Sequence, residues 1–483
     1  MRSYLKYLAC FLVISVSSCK KFIDLLPVDQ ANSENSFQSP ADANLAVAGI
    51  YDALHSNAYA QDMALLTELI SDNARIQPSR QGGSGVSDNR ELDFFQLTDQ
   101  NGFIQNRWSA LYKGIAAANQ LLNKIEQIPF TDALLKNQYI GEARFLRAVF
   151  YFDLVRFFGG VPLSLTQITN TADAFSFKRS TEQEVYQAII SDLSEASKAL
   201  PVNYPASNSG RATQGAAKAL LAKVYLTNNN ADLALPLLRE LTKAPYTYIL
   251  MPTYAACFDT DNNAESIFEI QYTSIVPGEG NPYPNFFLTN DNTAGRDIYG
   301  ASYLGVTGAG VCIPTFELFN SYEANDTRRS YTLLKYFSKQ EAVDLYIVYK
   351  YRGIPTSAFN SEDNIVLLRY ADVLLMLAEA INESGKAPAA EAYDALDAVR
   401  KRAGLPVVTR NFNYESFRLA LLDERRWEFA FENQRWFDLK RFNKAIDILT
   451  AKGYSIKPFH LLYPVPRKEV EISQGNITQN PGY

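Results

Sequence analysis

Histidine is the scarcest reactive residue in this chain: His55 and His460 are the only two among 483 residues. Without an imidazole cluster, neither a catalytic zinc centre nor a Ser–His or Cys–His nucleophile pair can be assembled, and no Gly-x-Ser-x-Gly elbow is present. His55 ends an amphipathic stretch and His460 adjoins Leu461 and Leu462, settings that suit packing or a surface role. Cysteine is almost as sparse. Cys10 and Cys19 lie near the start, and Cys257 and Cys312 fit no metal-ligand spacing. Those two form one disulfide or, as the preferred reading, remain buried free thiols. The glycine-rich run at 82–85 lacks the Lys-Ser or Lys-Thr that completes a phosphate loop.

Positive charge is also short. The chain carries 46 basic and 52 acidic side chains, a formal charge of −6; without residues 1–18 it loses Arg2 and Lys6 and stands at 44 against 52, or −8. Such a body has no electrostatic footprint for nucleic acid and no general attraction to anionic lipid. After residue 18 no apolar run is long enough to span a bilayer.

The N-terminus is the most specific stretch that is present. Arg2 and Lys6, the apolar run Leu8–Val16 and the small residues Ser17 and Ser18 before Cys19 describe an export signal over 1–18. The placement of Cys19 resembles a bacterial lipobox, with Val16 and Ser18 standing where lipoboxes usually carry Leu and Gly or Ala. That resemblance implies a lipid on Cys19 and a tether over 19–35, against the alternative of an ordinary secreted protein cut nearby. Each buried methylene of an acyl chain contributes about 0.8 kcal/mol, so several chains hold a protein to a membrane without a spanning helix.

Behind the tether the composition is globular, with 47% apolar and 20% charged residues. Apolar spacing predicts helices at about 40–55, 62–71, 104–127, 131–158, 181–200, 213–227, 231–243, 364–384, 388–402 and 414–442. Ser266–Tyr272 and Leu345–Lys350 read as short strands. Two helix pairs, 215–238 turning at Asn228–Asn230 and 370–396 turning at Gly385, carry alanines at the crossing in the manner of tetratricopeptide hairpins. The fold class expected is mainly α, a tetratricopeptide-like hairpin scaffold with long loops and a few short strands.

Ordered motifs run along nearly the whole length: Trp108–Tyr112 with Ala118 and Asn119, Glu142–Ala148 continuing through Phe157–Leu163, Gly210–Thr213, Leu368–Asp372 with Ala378–Ala380, and Arg400–Gly404. Asp423–Glu428, Arg435–Arg441, Tyr463–Pro466 and the ending Gln479–Tyr483 complete the set. Together they resemble the SusD/RagB family of outer-membrane nutrient-binding lipoproteins. The resemblance implies a single SusD-like domain over 36–483, with an N-terminal region over about 20–230 and a C-terminal region over about 265–483. It further implies lipid anchorage on the outer face of the outer membrane, capture of glycans or in some relatives peptides, and delivery to a SusC-like TonB-dependent transporter. No cofactor is expected.

The residues themselves favour scaffold roles for most of these motifs. Arg369 and Asp372 are spaced to pair along one helix, and Glu424, Glu428 and Glu432 recur beside Arg425, Arg426 and Arg435. A glycoside hydrolase needs two carboxyls across a cleft, about 5 to 9.5 Å apart, one with a raised pKa; guanidinium neighbours work against that. Binding is therefore expected over catalysis. Flat aromatic faces and amide, carboxylate or guanidinium groups suit sugars, and residues 272–313 supply Tyr283, Phe287, Arg296, Tyr299 and Tyr303. Asp72, Asn73 and Arg75 at the end of a helix, with Asn89 and Arg90 in the glycine loop, are expected to form a second wall. Contact with the transporter is the alternative use of these loops.

Overall fold

The computed structural model describes residues 37–83, 85–170, 175–276 and 278–483. The signal at 1–18, Cys19 and the tether lie outside the described residues. About 52% of the chain is helical, and the mainly α expectation holds.

The N-terminal half is a helical array: α1 (Pro40–Asp52), α2 (Asn57–Ala64), α3 (Gly102–Lys124), α4 (Ala133–Phe158), α5 (Glu182–Ala199), α6 (Gln214–Thr227) and α7 (Ala231–Leu241). Local signals set their starts. Ser39 and Asp42 make a capping box ahead of α1, Thr181 and Glu184 another ahead of α5, and Asn101 accepts from the amides of Phe103 and Ile104, each cap contributing about 1 kcal/mol. From α3 to α7 each helix packs on the next. At the α3–α4 crossing a Cβ on Gly114 would fall into the Phe150 ring, so only glycine lets these helices approach so closely.

Among the described residues, three small antiparallel pairs decorate the array: β1 (Ala74–Arg75) with β3 (Ile313–Pro314), β2 (Ser266–Ile270) with β6 (Ile365–Arg369), and β4 (Leu333–Ser338) with β5 (Val343–Val348). The second hairpin, α9 (Tyr370–Gly385) and α10 (Ala390–Arg402), packs on α7, and α9 also supports α11 (Tyr414–Glu428), which leads to α12 (Arg435–Arg441). The short α8 (Ala294–Tyr299) sits among the loops.

Three expected helices differ from the structure. Ile365–Arg369 pair as strand β6 before α9 begins at Tyr370. Arg369 and Asp372 consequently point apart instead of pairing: Arg369 reaches Glu265 and Glu432, while Asp372 binds Lys223 and Arg425. The expected helix at 414–442 breaks after Glu428, where Phe431 and Asn433 adopt positive φ. The expected 62–71 helix begins at Asn57 and widens into a π turn at Leu65–Leu69.

Burial of the charged motifs is extreme. Arg328, Arg369, Arg425, Glu424 and Glu428 are each nearly inaccessible. Arg328 Nη1 donates to Glu424 at 2.6 Å and Glu428 at 2.9 Å, and Arg369 and Arg402 also contact Glu428. Burial alone would raise the Glu428 carboxyl, but the guanidinium groups of Arg402, Arg369 and Arg328 outweigh it and hold it far below the ordinary carboxylate range. For Glu424 the balance goes the other way and burial leaves its carboxyl raised, despite Arg328 and Arg400. Cys257 and Cys312 are free and buried.

Candidate functional site

Gln77 gathers the loops. Its backbone N–H donates to Gly310 O at 2.9 Å, its side-chain oxygen accepts from the Asn290 amide at 2.7 Å, and its Nε2 donates to Glu341 at 2.6 Å. Together with the β1–β3 pair, this joins residues 74–81, the 288–313 loop and the β4–β5 turn into one surface. Beneath it a separate small core of Leu288, Ala294, Tyr303, Tyr336 and Ile347 packs α8 against the hairpin. Aromatic and branched side chains thus give an irregular segment its own rigid base.

On that base stands an aromatic surface. Tyr299, half-buried at the end of α8, lies nearly parallel to Tyr303 at 5.7 Å and 6.4 Å from Tyr349. Its hydroxyl donates to Tyr351 O at 3.2 Å. The exposed Arg352 places its guanidinium 4.3 Å from the centre of the Tyr349 ring and 3.8 Å from that of Tyr331. Tyr331 in turn donates to Asp259 at 2.7 Å. The half-buried Asp363 accepts from the Gly353 amide; burial pushes its carboxyl up to about 6, and Asp261 and Asp259 add to the rise. The partly exposed rings of Tyr299 and Tyr349, the exposed guanidinium of Arg352 and the half-buried carboxyl of Asp363 therefore share one patch, with Tyr303 and Tyr331 buried beneath it. It can stack on a ring and hydrogen-bond hydroxyls.

Comparison with known proteins agrees with this architecture. Residues 319–483 match the model of the SusD family, and residues 21–226 match a second family model described as starch-binding and associating with the outer membrane. The chain belongs to the SusD family. It is 28% identical to SusD-like protein P2 of Formosa agariphila, covering 99% of this chain and 100% of that one. Among solved structures it resembles a laminarin-binding SusD-like protein, with 28% identity, a TM-score of 0.79, and coverage of 92% of this chain and 100% of that one. A SusD homologue from Bacteroides thetaiotaomicron is similar at 26% identity and TM-score 0.80, over 94% and 99% of the two chains.

Within this SusD-family fold the residues expected at the ligand divide sharply. Tyr299, Arg75, Arg90 and Arg296 keep side-chain surface. Arg75 lies 4.2 Å over the Tyr454 ring and pairs with Asp93 at 3.0 Å, while Arg90 ties back the glycine loop through Gln81 O at 2.9 Å. Asp72, Asn73, Asn89, Tyr283, Phe287 and Tyr303 are buried, and this corrects their assignment to a contact surface. Asp72 binds Arg435, Arg426 and Lys452, and these cations overcome the effect of burial to hold its carboxyl far below its ordinary range. Asn73 donates to Glu68 at 2.9 Å and accepts from Arg426 at 3.0 Å. Tyr283 donates to Ala60 O at 3.1 Å, Phe287 stacks on Tyr351 at 6.0 Å, and Tyr303 supports Tyr299 from below.

The sequence reading missed Tyr349, Arg352 and Asp363, and with them the buried Tyr331 ring that the Arg352 guanidinium covers. Its available signal was the run Tyr349–Arg352 at the exit of β5, aromatic and basic together, which periodicity treated only as the end of a strand. Among the described residues no helix is long and apolar enough to cross a membrane.

Proposed function

We propose that this chain captures oligosaccharides at the cell surface, without chemically altering them, and passes them to a SusC-like TonB-dependent outer-membrane transporter. Lipid on Cys19 holds it to the outer face of the outer membrane. The observation that carries the reading is the accessible Tyr299–Tyr349–Arg352 surface, seated on its own small core in a SusD-family fold. The laminarin-binding relative and the starch-binding description of the N-terminal family model support a glycan as the ligand class. Stacking and a few hydrogen bonds on an open surface give modest affinity, roughly micromolar to millimolar, or about −8 to −4 kcal/mol. Weak capture suits transfer, because a tightly held ligand would not move on.

The test is titration calorimetry of the purified protein against laminarin oligosaccharides, starch oligosaccharides and an unrelated peptide mixture. Saturable binding of a saccharide that is recovered intact supports the reading. Binding of peptides alone, or hydrolysis of the bound saccharide, overturns it. The transporter partnership is tested separately, by mild detergent extraction and pull-down with a tagged copy: co-purification of a large outer-membrane barrel protein is expected, and its absence under mild conditions argues against the partnership.

A further inference from the structure

Away from the aromatic surface, the end of α1 faces the loop that leads into residues 281–313. His55 Nδ1 lies 2.8 Å from Glu279 Oε2 and 3.8 Å from Asp52 Oδ1. One ligand atom from each of the three residues falls within 4.8 Å of the others, and all three side chains retain solvent access. They border a cleft of about 500 Å³ whose wall also includes Arg211, Glu269 and Gln271.

The cleft wall carries a second observation. Glu269 is 2% exposed, yet its Oε1 has no hydrogen-bond partner. The neighbouring Tyr272, whose ring lies 5.2 Å from His55, also has a buried hydroxyl without a partner. The other oxygen of Glu269, Oε2, accepts from the Asn262 amide and from Asn364 Nδ2, both at 2.9 Å, so the side chain is fixed in the wall with Oε1 unpaired, and a buried carboxylate oxygen without a partner is a cost that a nearby cation relieves. Asp52 and Glu279 open onto this space, and Glu269 lies buried in its wall. The one guanidinium among them, that of Arg211, is paired with Glu142 at 3.0 Å.

We infer that Asp52, His55 and Glu279 form a binding site for a divalent transition-metal ion of the zinc type. One imidazole and two carboxylates match that chemistry, whereas calcium and magnesium favour oxygen ligands alone. Metal–ligand bonds of about 2.0–2.2 Å set ligand separations of roughly 3.3–3.6 Å in a tetrahedron, which small side-chain rotations reach from the present distances. In this arrangement the ion takes the place of the proton between His55 and Glu279. Three protein ligands leave a fourth position open to water or an external donor. Because Asp52 ends α1 and His55 lies in the turn just after it, while Glu279 belongs to the loop, the ion staples the loop to the helical array. Glu269 would act from behind, through the field of its carboxylate.

The experiment uses tag-free purified protein, stripped with a chelator and titrated with zinc chloride by calorimetry, with thermal unfolding followed in parallel. Binding of one ion per chain and a midpoint that rises with zinc concentration are expected. Glu279→Gln and Asp52→Asn should each weaken binding about tenfold or more, an effect of the size seen when metal-site partners are lost, and His55→Ala should abolish it. Asp232→Asn, an exposed carboxylate on α7, should leave binding unchanged. Cobalt(II) should give visible d–d absorption that zinc displaces. No saturable zinc binding, or binding that survives intact in both the Glu279 and His55 variants, overturns the assignment.

Discussion

Arg369 and Glu432 form a two-point ion pair, Nε to Oε2 at 2.8 Å and Nη2 to Oε1 at 2.9 Å, between the end of β6 and the turn after α11. Lys350 approaches the same carboxylate at 2.7 Å from the exit of β5, and Glu428 joins from α11 through Arg369, Arg328 and Arg402. Segments far apart in sequence are thus tied at one buried point. Breaking one partner of such a network leaves a charge buried and unpaired, at a cost of about 3–5 kcal/mol.

Glu428→Gln is therefore expected to lower stability by about that amount in chemical denaturation, while the folded fraction keeps its glycan affinity. Loss of glycan binding with unchanged stability would instead give Glu428 a direct role at the ligand.

Acid should weaken the fold in two stages. Burial lowers the His460 imidazole to about 4, with Lys457 adding to the effect. An unfolded histidine takes up its proton near 6.5, so between about 6.5 and 4 the unfolded chain holds more protons and stability falls as pH drops. Asp72 and Glu428 have depressed folded values; their contribution is fully present above the ordinary carboxylate range and is lost as pH falls below it, under about 4. Denaturation across pH should show both regions. His460→Asn, which can preserve the acceptor for the Lys457 amide, should flatten only the upper one.

Both body cysteines should react only after unfolding. Burial raises the thiols of Cys257 and Cys312, suppressing the nucleophilic thiolate. A thiol reagent should label neither in native protein and both in denaturant, and reductant should leave the unfolding midpoint unchanged. Recovery of a peptide linking the two would contradict this.

The scaffold was legible because its signals are local. Caps such as Ser39 and Thr181 and the apolar spacing of α3 to α7 place those helices within a few residues of the expected bounds. Strand β6 was not legible, since Ile365–Leu368 is apolar in a way that suits either a strand or a buried helix; its pairing with β2 decides. At the site the difficulty was burial. Asp72 and Asn73 look like surface polar residues until Arg426 and Arg435, more than 350 positions later, arrive to bind them. Tyr283 and Phe287 look available for a sugar until Tyr351 and Phe431 close over them. Arg352 escaped notice because its importance lies in two rings, Tyr331 and Tyr349, that only the hairpin brings together.

Lipid attachment is checked at the mature N-terminus. Mass spectrometry should find acylated Cys19, and Cys19→Ala should move the protein from the outer-membrane fraction to the soluble one; an unmodified N-terminus generated elsewhere would point to ordinary secretion.

The most direct test of glycan capture is calorimetry on Tyr299→Ala, Tyr349→Ala and Arg352→Ala, each confirmed as folded, with the saccharide that the wild type binds. Removal of each stacked group should cost about 1 kcal/mol or more, a roughly fivefold or greater loss of affinity, whereas Arg296→Ala, exposed but outside the ring cluster, should change little. Unchanged affinity in all three variants would contradict the account and place the ligand elsewhere on the molecule.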